Sequence, residues 1–480
     1  MKDILKPSGD YMAMQSYWKH VADITAGVEA MRTTAYLPNF PNESIDNHAY
    51  RMRNSVLVDI VSDIVESLAS KPFAKEAGLA DDNAPPIIQA FVEDIDREDN
   101  HLHIFAQQVF LAGIFNAVDW VLVDYPSVPA GATLADERAI GARPYLVRIK
   151  ATDMLEVRSD IIGGREQFTY ARINESGHDE AGKAYEQIRL LLNDEQGARF
   201  EVWRKDYGQD EATLRAAGAI AIGEIPLVPF FTGRRESGSW RFTMPMKRVV
   251  DLQLEHYQAA TNLKLAKEQT AFPMLVGAGI SPPVDDQGQQ VSLPVGPGTV
   301  LYAPMNDMGA FGDWKTLEPN ANTLKFLSDE LLGLETTMRE LGRQPLTAGT
   351  AGLTQVAVAF SSQRASSAVQ AWAYMLKDCL ERALRYMAAW ENLPYEPLVH
   401  IDTDFAIELG DTKAPEILVQ LQAAGLISHQ TLIQELKRRG ILSPEVEDDK
   451  EQERLLAELA GNSNAQSPRD SVEGANTGKV

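Results

Sequence analysis

Four places in the chain carry residue types that could do chemistry. GHDEAGKA, residues 177–184, nearly fits the phosphate-cradling pattern GxxxxGK[ST]. The final Ser or Thr that would hold magnesium is Ala184, and the stretch lies between two predicted strands, so a hairpin turn is the expectation. His101 and His103 follow Asp94, Asp96 and Asp99. On a helix, side chains two apart point to different faces, which suits a shared metal poorly and a solvated helix start well. Lys437, Arg438 and Arg439 end a helical pair over 417–442 that has the outline of a helix-turn-helix. They fall at the C-terminal end of the second helix, where cations complement the dipole, whereas base reading comes from the N-terminal side. Cys379 is the single cysteine and sits on an apolar seam, the place of a small core residue. No GxSxG elbow, HExxH, EF-hand loop or CxxC pair occurs, and paired carboxylates are too common here to select anything. The expectation is no catalytic residue, no metal site, no cofactor and no enzymatic activity.

The totals bound the classes. At 480 residues the chain exceeds one typical core. An apolar fraction of 44% is ordinary for a folded protein, and no run of eighteen apolar residues suggests a membrane span. The N-terminus MKDILKPSGDYMAMQSYWKH lacks the apolar core of a secretory signal. Net charge is −23, from 45 basic and 68 acidic residues. Such a chain does not hold DNA by phosphate neutralisation; it would handle nucleic acid only loosely, by guiding or enclosing it.

The elements that must position everything else lie at 244–391. Leu324, Leu327, Leu331, Leu334, Met338 and Leu341 recur at alternating steps of three and four, an a/d seam on one helix. Asn322 or Thr323 can cap its start, and Gly342 with Pro345 can stop it. A helix over 245–270, with Pro245 in its first turn and Val250, Leu254, Tyr257 and Leu265 on one side, comes before it. Between the two helices, 277–320 is rich in Gly and Pro with short apolar stretches VSLPV and GTVLYAP, a small β module. After RQPLTAGTAGLT a third helix repeats the seam at Ala365, Val369, Trp372, Leu376, Cys379, Ala383 and Trp390. By periodicity alone this is also what an ordinary helical hairpin in a core looks like.

Before this block, residues 1–33 form a helical arm anchored by Trp18. A turn follows, with Ser44 or Asp46 as caps. Leu57, Val61, Ile64 and Leu68 mark a helix that stops before Pro72. Helices are predicted at 86–97 and 101–115, the latter with Phe105, Val109 and Ala112 inward. Strands are predicted at 118–126, 143–151, 166–174, 185–193, 198–205 and 225–231. Helices first and a strand meander after give an α+β, mainly helical, class. The last twenty residues have almost no apolar side chains and are expected to be disordered.

A series of stretches runs in order through most of residues 36–442: AYRMR (49–53), KPF (71–73), LVDYP (122–126), RPYLV (143–147), IPLVPF (225–230), VVDLQLEHYQAATNLKLA (249–266), GPGTV (296–300), QRASSAVQAWAYMLKDCLERALRYMAAW (363–390), IDTDF (401–405) and the GLIS…LKRRGIL end (425–442). In their order and spacing the chain resembles the portal proteins of tailed double-stranded DNA bacteriophages. No one stretch is as specific as a zinc signature.

The resemblance implies a portal fold with wing, stem, clip and crown. Residues 1–244 would be the arm and wing, 245–272 and 321–342 the stem helices, and 273–320 the clip. Residues 343–354 would be the tunnel loop, 355–405 the long wing helix with its following strand, 406–460 the crown, and 461–480 the tail. It further implies a ring, usually of twelve subunits, at one capsid vertex of the virion, assembled in the host cytoplasm. Partners would be the terminase large subunit, a head–tail adaptor, the major capsid and scaffolding proteins, and double-stranded DNA in transit, with no membrane. Arg343, Gln344, Leu346, Thr347 and Thr350 would face the DNA channel, and the leucine seam would pack helices or subunits. Two other classes remain open at this point: an acidic enzyme using a nucleotide at 177–184, and a helix-turn-helix DNA binder.

Overall fold

A computed structural model describes residues 4–81, 83–126, 141–271, 274–278, 287, 289, 312–317, 321–342, 355–403, 419–420, 422, 428–438 and 442. The chain divides after Thr403 into two units. In the second, the described helix is α10 (His429–Arg438), named here last in chain order. Leu432 and Ile433 are buried on one side of it, and Ser428 caps its start.

The first unit begins with α1 (Gly9–Thr25), started by Ser8, whose hydroxyl accepts from the Tyr11 N–H. α2 (Val28–Met31), α3 (Ile45–Arg53) and α4 (Ile60–Ser70) follow. Ser44 caps α3, accepting from the Asn47 N–H, so Ser44 rather than Asp46 fills that role. Asp59 caps α4, which leaves Leu57 in the extended stretch before the helix and off its apolar face. β1 (Gly78–Leu79), α5 (Pro86–Glu93) and α6 (Leu102–Asn116) come next. α5 is shorter than the predicted 86–97 helix, because the chain turns at Asp94 and passes through positive φ at Arg97 and Asp99.

α6 is buried on most sides and ends in left-handed Ala117. Its last carbonyls need partners, and α1 supplies them: the Tyr17 hydroxyl donates to Phe115 O and the Trp18 indole to Asn116 O, at 2.8 and 3.0 Å. Trp18 therefore anchors the arm through both packing and a helix-end hydrogen bond.

Two sheets follow. β2 (Val118–Asp124) is the middle strand of an antiparallel sheet between β3 (Tyr145–Ile149) and β10 (Leu227–Phe231). It is buried from Val118 through Val123, and apart from Asp119 that stretch is apolar throughout. The second sheet is a meander of β4 (Met154–Ile162), β5 (Arg165–Asn174), β7 (Ala184–Asp194), β8 (Gly197–Lys205) and β9 (Thr213–Ala219), with β6 (Gly177–His178) paired to β7. β4 and β9 were not predicted. β9 is an exposed edge strand of Thr, Leu, Arg, Ala and Gly, and β4 breaks its alternation with Arg, Ser and Asp where it leaves the core. β11 (Arg234–Arg235) and β12 (Phe242–Thr243) form a short hairpin that ends the sheet region.

Then come α7 (Lys247–Ala271), β13 (Met274–Ala278), β14 (Asp313–Leu317), α8 (Ala321–Leu341), α9 (Gln355–Trp390) and β15 (Val399–His400), which pairs with β1. α7 starts two residues after Pro245, which sits in the preceding turn. β13 and β14 pair antiparallel, with Met274 opposite Leu317. VSLPV and GTVLYAP, the loop 343–354 and the tail 461–480 lie outside the described residues. The architecture is mixed helix and sheet, with α6 and α9 packed on the β2–β10 sheet.

Asp119 sits in the middle of β2 with no exposed surface, its Oδ2 2.5 Å from Arg148 Nε on β3. Its Oδ1 has no partner among the described residues. Burial pushes the carboxyl up to about 7, outweighing the pull of Arg148. A folded value above the unfolded one means the group stabilises fully below its ordinary value of 3.8, and that contribution is lost as pH rises through about 7. Asp119→Asn should flatten this loss. Urea unfolding at about pH 5 and about pH 8 checks it: the parent protein should lose more stability between the two than the variant does, and parallel behaviour would refute the assignment.

Candidate functional site

α7 is the element that the others are fastened to. Its first two-thirds are buried at Val249, Val250, Gln253, His256, Tyr257, Ala260, Thr261 and Leu263. The chain between α3 and α4 has no regular structure, so its backbone groups need partners from elsewhere. Side chains of α7 provide them. Gln253 Oε1 accepts from the Ile60 N–H at 2.9 Å while its Nε2 donates to Val58 O at 2.8 Å. Thr261 Oγ1 accepts from the Val56 N–H, and Lys264 Nζ donates to Asn54 O at 3.0 Å. Farther up the chain, Gln258 Nε2 donates to Tyr36 O and the Tyr257 hydroxyl to Met31 O. Of the residues expected on one side of this helix, Val250 and Tyr257 are fully buried, while Leu254 and Leu265 are half-buried.

α8 runs back along α7. His256 Nε2 lies 3.3 Å from Glu335 Oε1, although His256 itself has no exposed surface. At the base of the pair, Arg339 reaches Asp63 on α4 at 2.6 Å. The leucine seam is uneven. Met338 is completely buried, whereas Leu324, Leu327, Leu331, Leu334 and Leu341 are half-buried. Among the described residues the seam is fully closed only at Met338. Gly342 ends α8, its N–H bonded to Met338 O at 2.8 Å. A Cβ there would stand 2.5 Å from Ile64 Cγ2, so the helix end approaches α4 at a distance only glycine allows. The loop that carries Arg343, Gln344, Leu346, Thr347 and Thr350 leaves from this pinned position and lies outside the described residues.

α9 begins at the loop's other end and spans roughly 54 Å at 1.5 Å per residue. Val369, Trp372, Leu376, Cys379 and Ala383 are buried, as are Ala373, Leu380, Leu384, Met387 and Ala388, so the face is broader than a narrow seam. Trp390 is half-buried and stacks on Tyr125. The side chain of Ala365 is outside the description. Trp372 Nε1 donates to Thr232 O at 3.1 Å, which locks α9 to the end of β10. Burial pushes the Cys379 thiol well above its usual range, so it packs as a small apolar side chain and is no nucleophile.

The other candidate motifs resolve as structure. In 177–184, Asp179 Oδ1 accepts from the Ala181 and Lys183 N–H groups, and the Gly182 N–H goes to Asp179 O. The turn consumes the N–H groups a phosphate would need. His101 precedes α6 without a side-chain cap, and His103 Nδ1 accepts from the Ala77 N–H at 3.0 Å. No group of three metal-ligating side chains gathers among the described residues. Lys437 and Arg438 occupy the last turn of α10, and Arg439 lies outside the described residues. A cleft of about 840 Å³ opens beside Trp18, Trp120 and Trp240. Its lining pairs Arg235 with Glu166 at 2.8 Å and Arg158 with Glu156 at 2.5 Å. Gln253, His256 and Glu335 were not singled out from sequence; a lone Gln or His among apolar helix positions was the available signal.

Residues 245–391 match a family model described as a domain of unknown function, DUF4055, and this interval covers α7, β13, β14, α8 and α9. No curated protein matches the chain. Among solved structures, the chain is similar to one from the neck of a native gene transfer agent particle computed with C12 symmetry. Identity is 12%, coverage is 78% of this chain and 89% of that one, and the TM-score is 0.41. A chain of the native gene transfer agent virion gives 10% identity, coverage of 89% and 99%, and a TM-score of 0.42. The neck of the empty particle, computed with C6 symmetry, gives 12%, coverage of 78% and 88%, and 0.42. Backbones this far apart transfer no site, and no role is taken from them.

Removing the Gln253 amide should loosen the α7 base. Gln253→Ala removes two hydrogen bonds and leaves the Ile60 N–H and the Val58 carbonyl with only their mutual bond at 3.1 Å, a loss of about 1 kcal/mol per hydrogen bond. Chemical denaturation should show this loss, and Gln253→Glu should restore only the acceptor half. A neutral Gln253→Ala would mean water replaces the amide.

Proposed function

We propose that this chain is a structural subunit of the portal ring in a tailed-phage-like particle, forming the channel through which DNA enters and leaves. The observation that carries the reading is the ordered sequence resemblance over most of residues 36–442. What supports it is the build of the helical block. A helix pair is fastened at one end by Gln253, Thr261, Gly342 and the Arg339–Asp63 ion pair. At its other end it carries an antiparallel β pair.

In this reading α7 and α8 are the stem, the β13–β14 module is the clip that docks the terminase large subunit and later a head–tail adaptor, and 343–354 is the tunnel loop. Energy for translocation comes from the motor, and the chain itself performs no catalysis. A net charge of −23 suits a channel wall along which DNA must slide, because dense phosphate contacts would act as a brake. Gln344, Thr347 and Thr350 offer weak exchangeable contacts and Arg343 a local attraction. Gly342 against Ile64 fixes the position from which that segment starts.

Electron microscopy of purified protein, with light scattering for mass, should show rings with a central hole near the mass of a dodecamer. Shortening 346–352 should leave rings intact and impair DNA packaging or retention. Normal packaging by that variant would remove the loop assignment. A chain that stays monomeric alone and with its capsid and scaffolding partners would remove the ring.

A further inference from the structure

Asp119 lies where a carboxylate is hardest to keep charged. In register it stands opposite Phe230 on β10, and cross-strand partners share a face of the sheet. Phe230 stacks on Phe110 of α6 and presses on Gly113, so this is the helix-covered face. Trp120, one residue on, lies on the other face with Phe168 and Trp240. α9 packs on β2, β10 and α6, and so covers the same face as α6. Its buried residues include Cys379, and the charge of Asp119 reaches that thiol: burial pushes the thiol up, Arg382 pulls it down and Asp119 pushes it further up.

The groups that face Asp119 satisfy it only in part. Arg148 on β3 bonds Oδ2 at 2.5 Å, and Lys150 and Asp153 follow in the turn after β3. α9 brings Cys379, with Asp378 and Arg382 exposed beside it. β10, and α6 from Phe105 to Asn116, carry no titratable side chain. Oδ1 has no partner among the described residues. A neutral carboxyl tolerates that; a carboxylate held out of water does not. Two of the elements around it are fixed. β2 is paired to both β3 and β10. α6 runs straight into β2 and is tied by Tyr17, Trp18 and the Thr232 hydroxyl, which donates to Gly113 O at 2.8 Å. α9 meets the sheet through buried apolar side chains and the Trp372 indole on Thr232 O. Lifting α9 is the least costly way to bring water to Asp119.

We propose that Asp119 is a proton-controlled catch for α9. With the carboxyl protonated, the helix stays seated on β2. When the proton leaves to solvent, α9 lifts locally, the carboxylate takes up water, and the rest of the unit stays folded. The helix released is the one that follows the proposed tunnel segment, but the catch works within one chain and does not depend on a ring. Burial holds the seated group up to about 7, above its ordinary 3.8, so opening releases a proton between those values. Opening therefore grows by up to about tenfold per pH unit in that window and levels off above it.

Cys379 is the single cysteine and is 3% exposed, which makes it a probe of α9 in the full-length protein. Its rate of reaction with dithiodipyridine, divided at each pH by the rate for the urea-unfolded chain, reports how often α9 opens. The normalised rate should climb from about pH 5 to about pH 7 and then level off. Asp119→Asn should flatten the climb. Trp372→Phe, which removes the indole tie, should raise the rate about fivefold at every pH and leave the slope unchanged. Low urea should change the rate far less steeply than it changes global unfolding. The parent profile decides even if Asp119→Asn does not fold: a normalised rate flat with pH, or one with the urea dependence of global unfolding, overturns the catch. A climb that survives Asp119→Asn assigns it to another group, and a rate unmoved by Trp372→Phe removes α9 as the part that lifts.

Discussion

The structure depends on one constraint: the irregular segments on either side of α3 are packed against α7, and their backbone polar groups must be satisfied there. Burying such groups without partners costs more than most side-chain contacts return. Gln253 answers with both ends of one amide, serving Ile60 and Val58 at once. Thr261, Lys264, Gln258 and Tyr257 answer for Val56, Asn54, Tyr36 and Met31. Each tie joins residues roughly two hundred positions apart, so the N-terminal segment and the helical block form one body.

A rigid base makes the free end of the helix pair meaningful. Near the base, Met338 is sealed, Gly342 touches Ile64 and Arg339 holds Asp63. Away from it, the seam leucines stay half-exposed, Phe326 is largely open, and the chain turns through β13 and β14. Apolar surface left partly open in this pattern forfeits part of its burial energy to water.

The charge distribution follows a similar division. Many described ion pairs lie within the sheet region, where Arg189 bridges Asp124 and Glu175 and Arg235 bridges Glu166. They are local, partly solvated pairs that fix side chains more than they stabilise the fold. Arg51 and Glu43 form a buried pair outside that region, and within it Asp119 stands apart. It is fully buried beside Arg148 in the central strand, where the cost of removing a carboxylate from water dominates.

Much of the fold was legible in the sequence because it depends on periodicity and on local capping. The helices α8 and α9, the strands β2, β7, β8 and β10, the Ser44 cap and the hairpin at 177–184 follow from side-chain spacing and turn chemistry, which act over a few residues. β4 and β9 were not legible, since an exposed or interrupted strand carries no apolar alternation. Leu57 was misplaced because Asp59, which caps α4, starts the helix after it. The sequence by itself determined that a helix, a β insertion, a second helix and a long third helix follow one another. Only the tertiary structure decided that Gln253 and His256 are buried polar groups, that Gly342 is required by Ile64, and that Asp119 lies beneath α9. Those facts depend on partners distant in the chain, and spacing along the sequence holds no information about which distant residue will arrive.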